Sequence, residues 1–354
     1  MKQNPFIYLR GLKHAEFTVF CVSDGQKSYF DPQFRVFVPY SSGQQVKRSV
    51  LEALTTSLGV EPSPTEFFFD IDKKGALKEG EVLSSCNPEY IDQLIGGWMR
   101  TPKGGNEKAV KRRSPLSISA MTPLHPLLAS VPHENISFDR SDRPNVHKVV
   151  VRDADGNKLS EEQISQFLNG QDRSLLRKWI PDNTRATGLF TYDIAIDLRR
   201  LFSVSTNLIE PEVTKDVIDK LKTDGWTSGH NVFGDCLVMP KNERDKVILA
   251  LADALIDWHI TSNQSRTFSL METLAVAISD NANTLAAAIR AKLIDDGDKP
   301  KVKPIIDEHA GADTFVTLPC ASYIVTEDES ADALEKAKQE LISRMSAFDY
   351  ESQR

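Results

Sequence analysis

Apolar and polar residues alternate in short runs near the start of the chain. Phe17-Thr18-Val19-Phe20-Cys21-Val22 and Arg35-Val36-Phe37-Val38 are rich in aromatic and β-branched side chains and predict strands, with a turn at Asp24-Gly25 between them. Val46, Val50, Leu51 and Leu54 then recur at helical spacing, which predicts a helix over Gln44–Leu54 capped by Ser41 or Ser42. Lys47 and Arg48 fall off its apolar stripe. Residues 59–75, with Pro62, Pro64 and the acidic Asp70 and Asp72, predict a loop or an exposed strand. Residues 86–100 predict a helix, 101–106 a flexible basic connector, and Ser117–Met121 a short strand. Residues 122–160 are loop-rich, with a hairpin signal from His147–Arg152 around Asp155-Gly156. Gly188–Leu198 alternates most cleanly of all and predicts a strand, whereas 203–240 reads as irregular. Val247, Leu251, Leu255 and Trp258 predict an amphipathic helix over Lys246–Ile260, and Leu270–Ile278 and Leu285–Leu293 continue as helical. A late strand at Phe315–Leu318 and a charged helix at Ser330–Phe348 complete an α+β chain with long insertions and no internal repeat.

At 354 residues, 40% hydrophobic and 26% charged, the chain is long and apolar enough to bury a sizeable core, which excludes wholesale disorder. No run approaches the roughly 18 apolar residues of a membrane span, and the N-terminus has no apolar leader, so no membrane is expected as a partner. Four cysteines lie far apart, with no paired spacing for zinc or a disulfide framework. A reduced, cytoplasmic location follows as the expectation.

The net charge of −7 hides an asymmetry. Residues 1–48 carry seven basic side chains against three acidic ones, and residues 100–113 carry six against one. Residues 295–354 carry fourteen acidic against seven basic. Local basic islands of this kind suit a phosphate-lined partner even in an acidic protein. Catalytic patterns do not accompany them. No phosphate-binding glycine loop, zinc-protease motif or nucleophile elbow occurs, and the seven histidines are scattered. Asp70 and Asp72 read as a solvated hairpin tip, Cys21 as a buried structural thiol. The expectation is a non-enzyme that needs no metal or cofactor.

The segment FRVFVPYSSGQQVKRSVLEAL resembles the start of the CRISPR-associated DevR-type family, the guide-RNA-binding backbone subunits of type I Cascade effector complexes. Lys111-Arg112-Arg113-Ser114-Pro115-Leu116-Ser117-Ile118-Ser119 is similar to that family's return strand, and GLFTYDIAIDL (Gly188–Leu198) to its second palm strand. Lys246–Ser279, with Asn263-Gln264-Ser265-Arg266 in its middle, is similar to its late helical pair.

The resemblance implies one RRM-like, ferredoxin-type palm over 1–354 with large finger and thumb insertions. The finger falls at about 59–110, the thumb at 130–187 or 203–240, and an acidic C-terminal strand and helix at 295–354. It implies guide RNA (crRNA) as partner, target DNA through the guide, and further copies of the same chain. Other Cascade subunits would join them: the large subunit and those that bind the guide's 5′ and 3′ ends. The RNA-binding residues it implies are Lys13, His14, Arg35, Ser41, Ser42, Gln44, Gln45, Lys47, Arg48, Lys111, Arg112, Arg113, Gln264 and Arg266. A helix start with free N–H groups followed by Lys47 and Arg48 suits phosphates. From residue types alone, Lys47 and Arg48 read as a solvated helix face, and it is the resemblance that reverses this; Arg112 and Arg113 read equally as a charged linker, and Gln264 and Arg266 as a turn between helices. Two alternatives stay open. One is a type III-like backbone subunit with metal-dependent RNA cleavage at Asp24 or Asp31; the other is an RNA-binding scaffold outside CRISPR systems.

Overall fold

The computed structural model describes residues 4–20, 25–101, 108–138, 150–171, 178–260 and 268–353. Its middle is an antiparallel sheet built on β1 (Phe6–Thr18). β13 (Ala186–Asp197) pairs with one edge of β1, and β17 (Thr273–Ser279) with the other. β8 (Leu116–Ile118), β9 (Thr122–Pro123) and β10 (Ala129–Ser130) follow one another along the outer edge of β13. β20 (Asp313–Val316) extends the sheet beyond β17.

Period-two alternation assigns the two faces of β1. Ile7 and Leu9 point to the side covered by α1 (Gly43–Leu58) and α6 (Lys241–Asp257), where they join Val50, Leu54, Leu251 and Leu255 in the main core. α8 (Ala333–Ala347) packs on α6 and adds Ala337, Leu341 and Met345 to that core. Leu12 points the other way, into a second core with Leu189 of β13, Leu274 of β17 and Leu285 of α7 (Ala282–Ala288). Register is held by side-chain shape. Gly11 lies opposite Tyr192, whose ring occupies the space a Cβ would need, 2.3 Å from that position. Tyr192 in turn meets Trp258 edge to face at 4.8 Å.

Hairpins project from this frame: β2 (Ser28–Asp31) with β3 (Val36–Pro39), β4 (Thr65–Ile71) with β5 (Leu77–Ser84), and β6 (Trp98–Arg100) with β7 (Val110–Arg112). β11 (His133–Phe138) with β12 (Lys178–Thr184), and β18 (Ile289–Asp295) with β19 (Lys301–Ile306), are two more. α2 (Ile91–Gly96) precedes β6, and α3 (Glu161–Leu168) lies between β11 and β12 in sequence. After the short α4 (Leu198–Leu201), a three-stranded sheet of β14 (Ser203–Ser205), β16 (Gly234–Val238) and β15 (Thr227–Asn231) forms, with α5 (Lys215–Thr223) in its connection.

Several expectations are corrected. Leu270–Ile278 holds a strand rather than a helix: Thr273–Ser279 is buried on both faces, so its apolar run has no alternation to reveal it. Helical spacing over Leu285–Leu293 ends at Ala288, and the next residues are β18. The helix expected over 86–100 is confined to Ile91–Gly96. The first strand ends at Thr18 and begins at Phe6, well before the expected Phe17. Residues 203–240 are ordered elements whose Val204, Ile218, Leu221 and Leu237 join the main core. Among the described residues no helix is long and apolar enough to cross a membrane.

Candidate nucleic-acid interface

The start of α1 is where the segments singled out in the sequence meet. Ser42 caps the helix, its hydroxyl accepting the Gln45 N–H at 3.3 Å. Ser41 exchanges two backbone hydrogen bonds with Met121, at 2.9 and 3.0 Å, which ties the turn to the strand segment after β8. Gly43 lets the two backbones touch: a Cβ there would stand 2.7 Å from the Ile118 carbonyl oxygen. Lys47 reaches across to donate to the Gly96 carbonyl at 2.7 Å and the Ser114 hydroxyl at 2.8 Å. β8 then pairs with β13, Ile194 opposite Ile118. The helix start and the Arg113-Ser114-Pro115 segment thus meet at one site, which β8 ties to the largely buried Gly188–Leu198 strand.

Two shallow cavities flank the first turns of α1. One, of about 470 Å³, is lined by Gly43, Gln44, Lys47, Ser114, Ser117 and Ile118. The other, of about 830 Å³, is lined by Gln44, Lys47, Arg48, Glu52, Thr55 and Asp92 among others. Gln44 and Lys47 belong to both. The surface can therefore offer amide donors, an exposed guanidinium at Arg48 and a hydroxyl at Ser117 to an extended anionic strand.

The structure sorts the expected residues into three groups. Gln44, Arg48, Lys111, Arg113 and Arg35 are exposed, and Gln45 and Ser42 partly so. Arg48 shares its guanidinium with Glu52 one turn on, at 2.7 Å. Lys47 is half-buried and its amine is held by the protein; burial lowers its pKa.

The second group is internal. Lys13 is 2% exposed, donates to the Thr273 hydroxyl at 2.8 Å and lies 4.9 Å from the Trp258 ring. Burial draws its pKa down to about 8. His14 is stacked on Tyr323 at 4.3 Å, with Nδ1 3.0 Å from Glu272 Oε1. Ser41 is fully buried. Arg112 is 3% exposed and donates to the carbonyls of Leu94, Arg200 and Ser203, while burial lowers its pKa to about 10. The sequence expectation that Lys13, His14, Ser41 and Arg112 line a groove is corrected on these grounds. On β7 alternate residues face opposite ways, so of three consecutive cations only Lys111 and Arg113 face water. The third group, Gln264 and Arg266, lies outside the described residues.

Two aromatic surfaces escaped the sequence reading. β2 and β3 expose Phe30 and Phe37, and β4 and β5 expose Phe67, Phe69, Ile71, Leu77 and Val82. The signal available was Phe67-Phe68-Phe69 between Pro64 and the turn at Gly75. Among the described residues no group of three or more His, Cys, Asp or Glu is arranged to hold a metal ion.

No family model matches this sequence, and a comparison with curated proteins also finds no match. Among solved structures the chain aligns with one titled "CRISPR RNA-guided surveillance complex, pre-nicking". The identity is 10% and the TM-score 0.42, over 96% of this chain and 87% of that one. Another, titled "CRISPR RNA-guided surveillance complex", gives 10% identity and a TM-score of 0.37 over 96% of this chain and 83% of that one. At that level of similarity the two alignments set no family for the chain.

Proposed function

We propose that the chain is a non-catalytic backbone subunit of a type I CRISPR effector complex, a cytoplasmic ribonucleoprotein of antiviral defence. Several copies would lie side by side on one guide RNA, hold its phosphates and display its bases for pairing with target DNA. Pairing, not protein, would then read the sequence. The observation that carries this reading is that three segments far apart in sequence are brought together around the start of α1. Those are three of the segments that resemble the DevR-type family; Lys47 and Gly43 join the first two directly, and β8 pairs with the third.

The sheet supports the palm part of the reading. β1 lies between β13 and β17, β8 borders β13, and α1 and α6 cover one face. That is the strand order of a ferredoxin-type β-α-β-β-α-β unit, as in an RRM. The β4–β5 hairpin falls in the expected finger region and supports side-by-side assembly. An isolated two-stranded hairpin with an apolar stripe is marginal in water and gains by docking on another chain.

Light scattering of the purified chain with and without guide RNA tests the proposal. Guide should drive a multimer of fixed size; the same closed oligomer in both conditions would overturn it. The ribonuclease alternative turns on Asp31, since Asp24 lies outside the described residues. Asp31 commits Oδ1 to the N–H groups of Gln33 and Phe34, at 3.0 and 2.9 Å, the job of a turn cap. Incubation of the complex with complementary RNA and Mg²⁺ should leave that RNA intact. Cleavage abolished by Asp31→Ala would move the assignment to the nuclease.

A further inference from the structure

We infer that the β2–β3 hairpin is a stacking platform for the unpaired bases of a single-stranded nucleic acid, with Phe30 and Phe37 as its surface. The inference rests on the nucleic-acid reading above and adds to it a contact with bases where that reading has contacts with phosphates.

Phe30 and Phe37 stand directly opposite each other on the two strands, so their side chains share a face. Their ring centroids are 5.5 Å apart at an interplanar angle of 64°. They remain 50% and 61% exposed, unusual for two phenylalanines already in contact. The hairpin does not need them for anchorage. Its other face carries Val38, which is fully buried, and Tyr29, which meets Tyr40 at 5.9 Å. The platform is also rigid. Asp31 caps the connecting turn, Phe34 packs on His125 at 4.6 Å, and the Tyr40 N–H donates to the Lys27 carbonyl at 3.0 Å. A surface fixed in advance loses little freedom when it binds.

The surroundings name the occupant. Arg35 is exposed at the turn two residues before Phe37, and it has no ion-pair partner among the described residues. β3 leads through Tyr40 and Ser41 straight into the α1 start, with its Gln44 and Arg48. Flat rings beside an exposed cation suit a base and its phosphate, because every base has a face that stacks whatever its identity. A protein partner fits less well. Two aromatic side chains offer roughly 150–250 Å² each, against roughly 800 Å² a side for a stable interface.

Fluorescence anisotropy on the full chain tests this with two strands of equal length: a mixed-sequence single-stranded RNA, and a strand of abasic spacers with the same phosphates. The wild type should bind the RNA on the order of ten-fold or more tightly than the abasic strand. Phe30→Ala with Phe37→Ala should bring both strands to the abasic affinity with an unchanged salt slope. Phe30→Tyr with Phe37→Tyr, which keeps the rings, should retain the preference. Equal wild-type affinity for both strands would overturn the platform and leave the phosphate reading standing. No binding to either strand would overturn both. An alanine variant with unaltered strand affinities but a changed oligomeric mass without RNA would make the hairpin a protein contact and likewise overturn the inference.

Discussion

Lys47 and Arg48 are adjacent in sequence, yet the structure assigns them different work, and two alanine variants separate the roles. Lys47 donates to the Gly96 carbonyl and the Ser114 hydroxyl, so Lys47→Ala cuts the tie between α1, α2 and the segment before β8. A hydrogen bond from a charged donor contributes about 1.5–3 kcal/mol net. Partial exposure of this amine and the cost of burying it set the expected loss at about 2–3 kcal/mol for the pair. Unfolding entropy of about 2.1 cal/mol/K per residue over 354 residues converts that to a fall in Tm of roughly 3–4 °C. Arg48 makes only an exposed ion pair with Glu52, worth about 0.3–0.5 kcal/mol, so Arg48→Ala should melt within roughly 1 °C of the wild type. Its signature should appear with RNA. Affinity falls about equally for guides of any sequence, and the log–log salt slope flattens by roughly 0.7 for one lost phosphate contact on a single strand. Differential scanning fluorimetry and salt titrations by anisotropy read the two effects separately. A Lys47→Ala protein that melts like the wild type but loses salt slope would refute the assignment, because the amine would then face the solvent.

Three further outcomes follow from the same structure. Lys13 has its pKa lowered from 10.5 to about 8 by burial, so the folded state releases this proton before the unfolded chain does. Its contribution to stability should therefore rise between about pH 8 and pH 10.5, and urea unfolding of Lys13→Met against the wild type should lack that rise. Gly43→Ala places a Cβ 2.7 Å from the Ile118 carbonyl, where backbone must move, and should destabilise by about 1–3 kcal/mol in the same assay. Phe67→Ser with Phe69→Ser removes an exposed stripe without touching the core; light scattering should show a smaller guide-driven multimer at an unchanged Tm.

Elements whose apolar positions keep a regular period were readable in the sequence. The helix expected over Gln44–Leu54 is α1, Gly188–Leu198 lies almost wholly in β13, and the Lys246–Ile260 helix overlaps α6. β17 was not readable, because a central strand covered on both sides is apolar throughout and resembles a buried helix. The start of β1 was hidden for the opposite reason: Arg10, Lys13 and His14 interrupt its alternation, each held by a tertiary partner that local pattern does not show. The site follows the same logic. The cap at Ser42 and the exposure of Arg48 are local properties and were foreseen. Lys47, Lys13 and Arg112 are assigned by partners 49 to 260 residues away, and those partners turn three expected phosphate ligands inward.

The position of β1 has a consequence for how the chain is made. Leu9 sits between Ile194 and Ile278, so β1 acquires its second partner only after the long stretch of chain up to β17 has been made. At roughly 5–20 residues per second, a nascent chain would carry β1 with at least one unpaired edge for about 13–50 s. An open apolar strand edge is a template for other chains. Yield of folded protein should therefore depend on how well β1 is shielded during translation, more than on the stability of the finished fold.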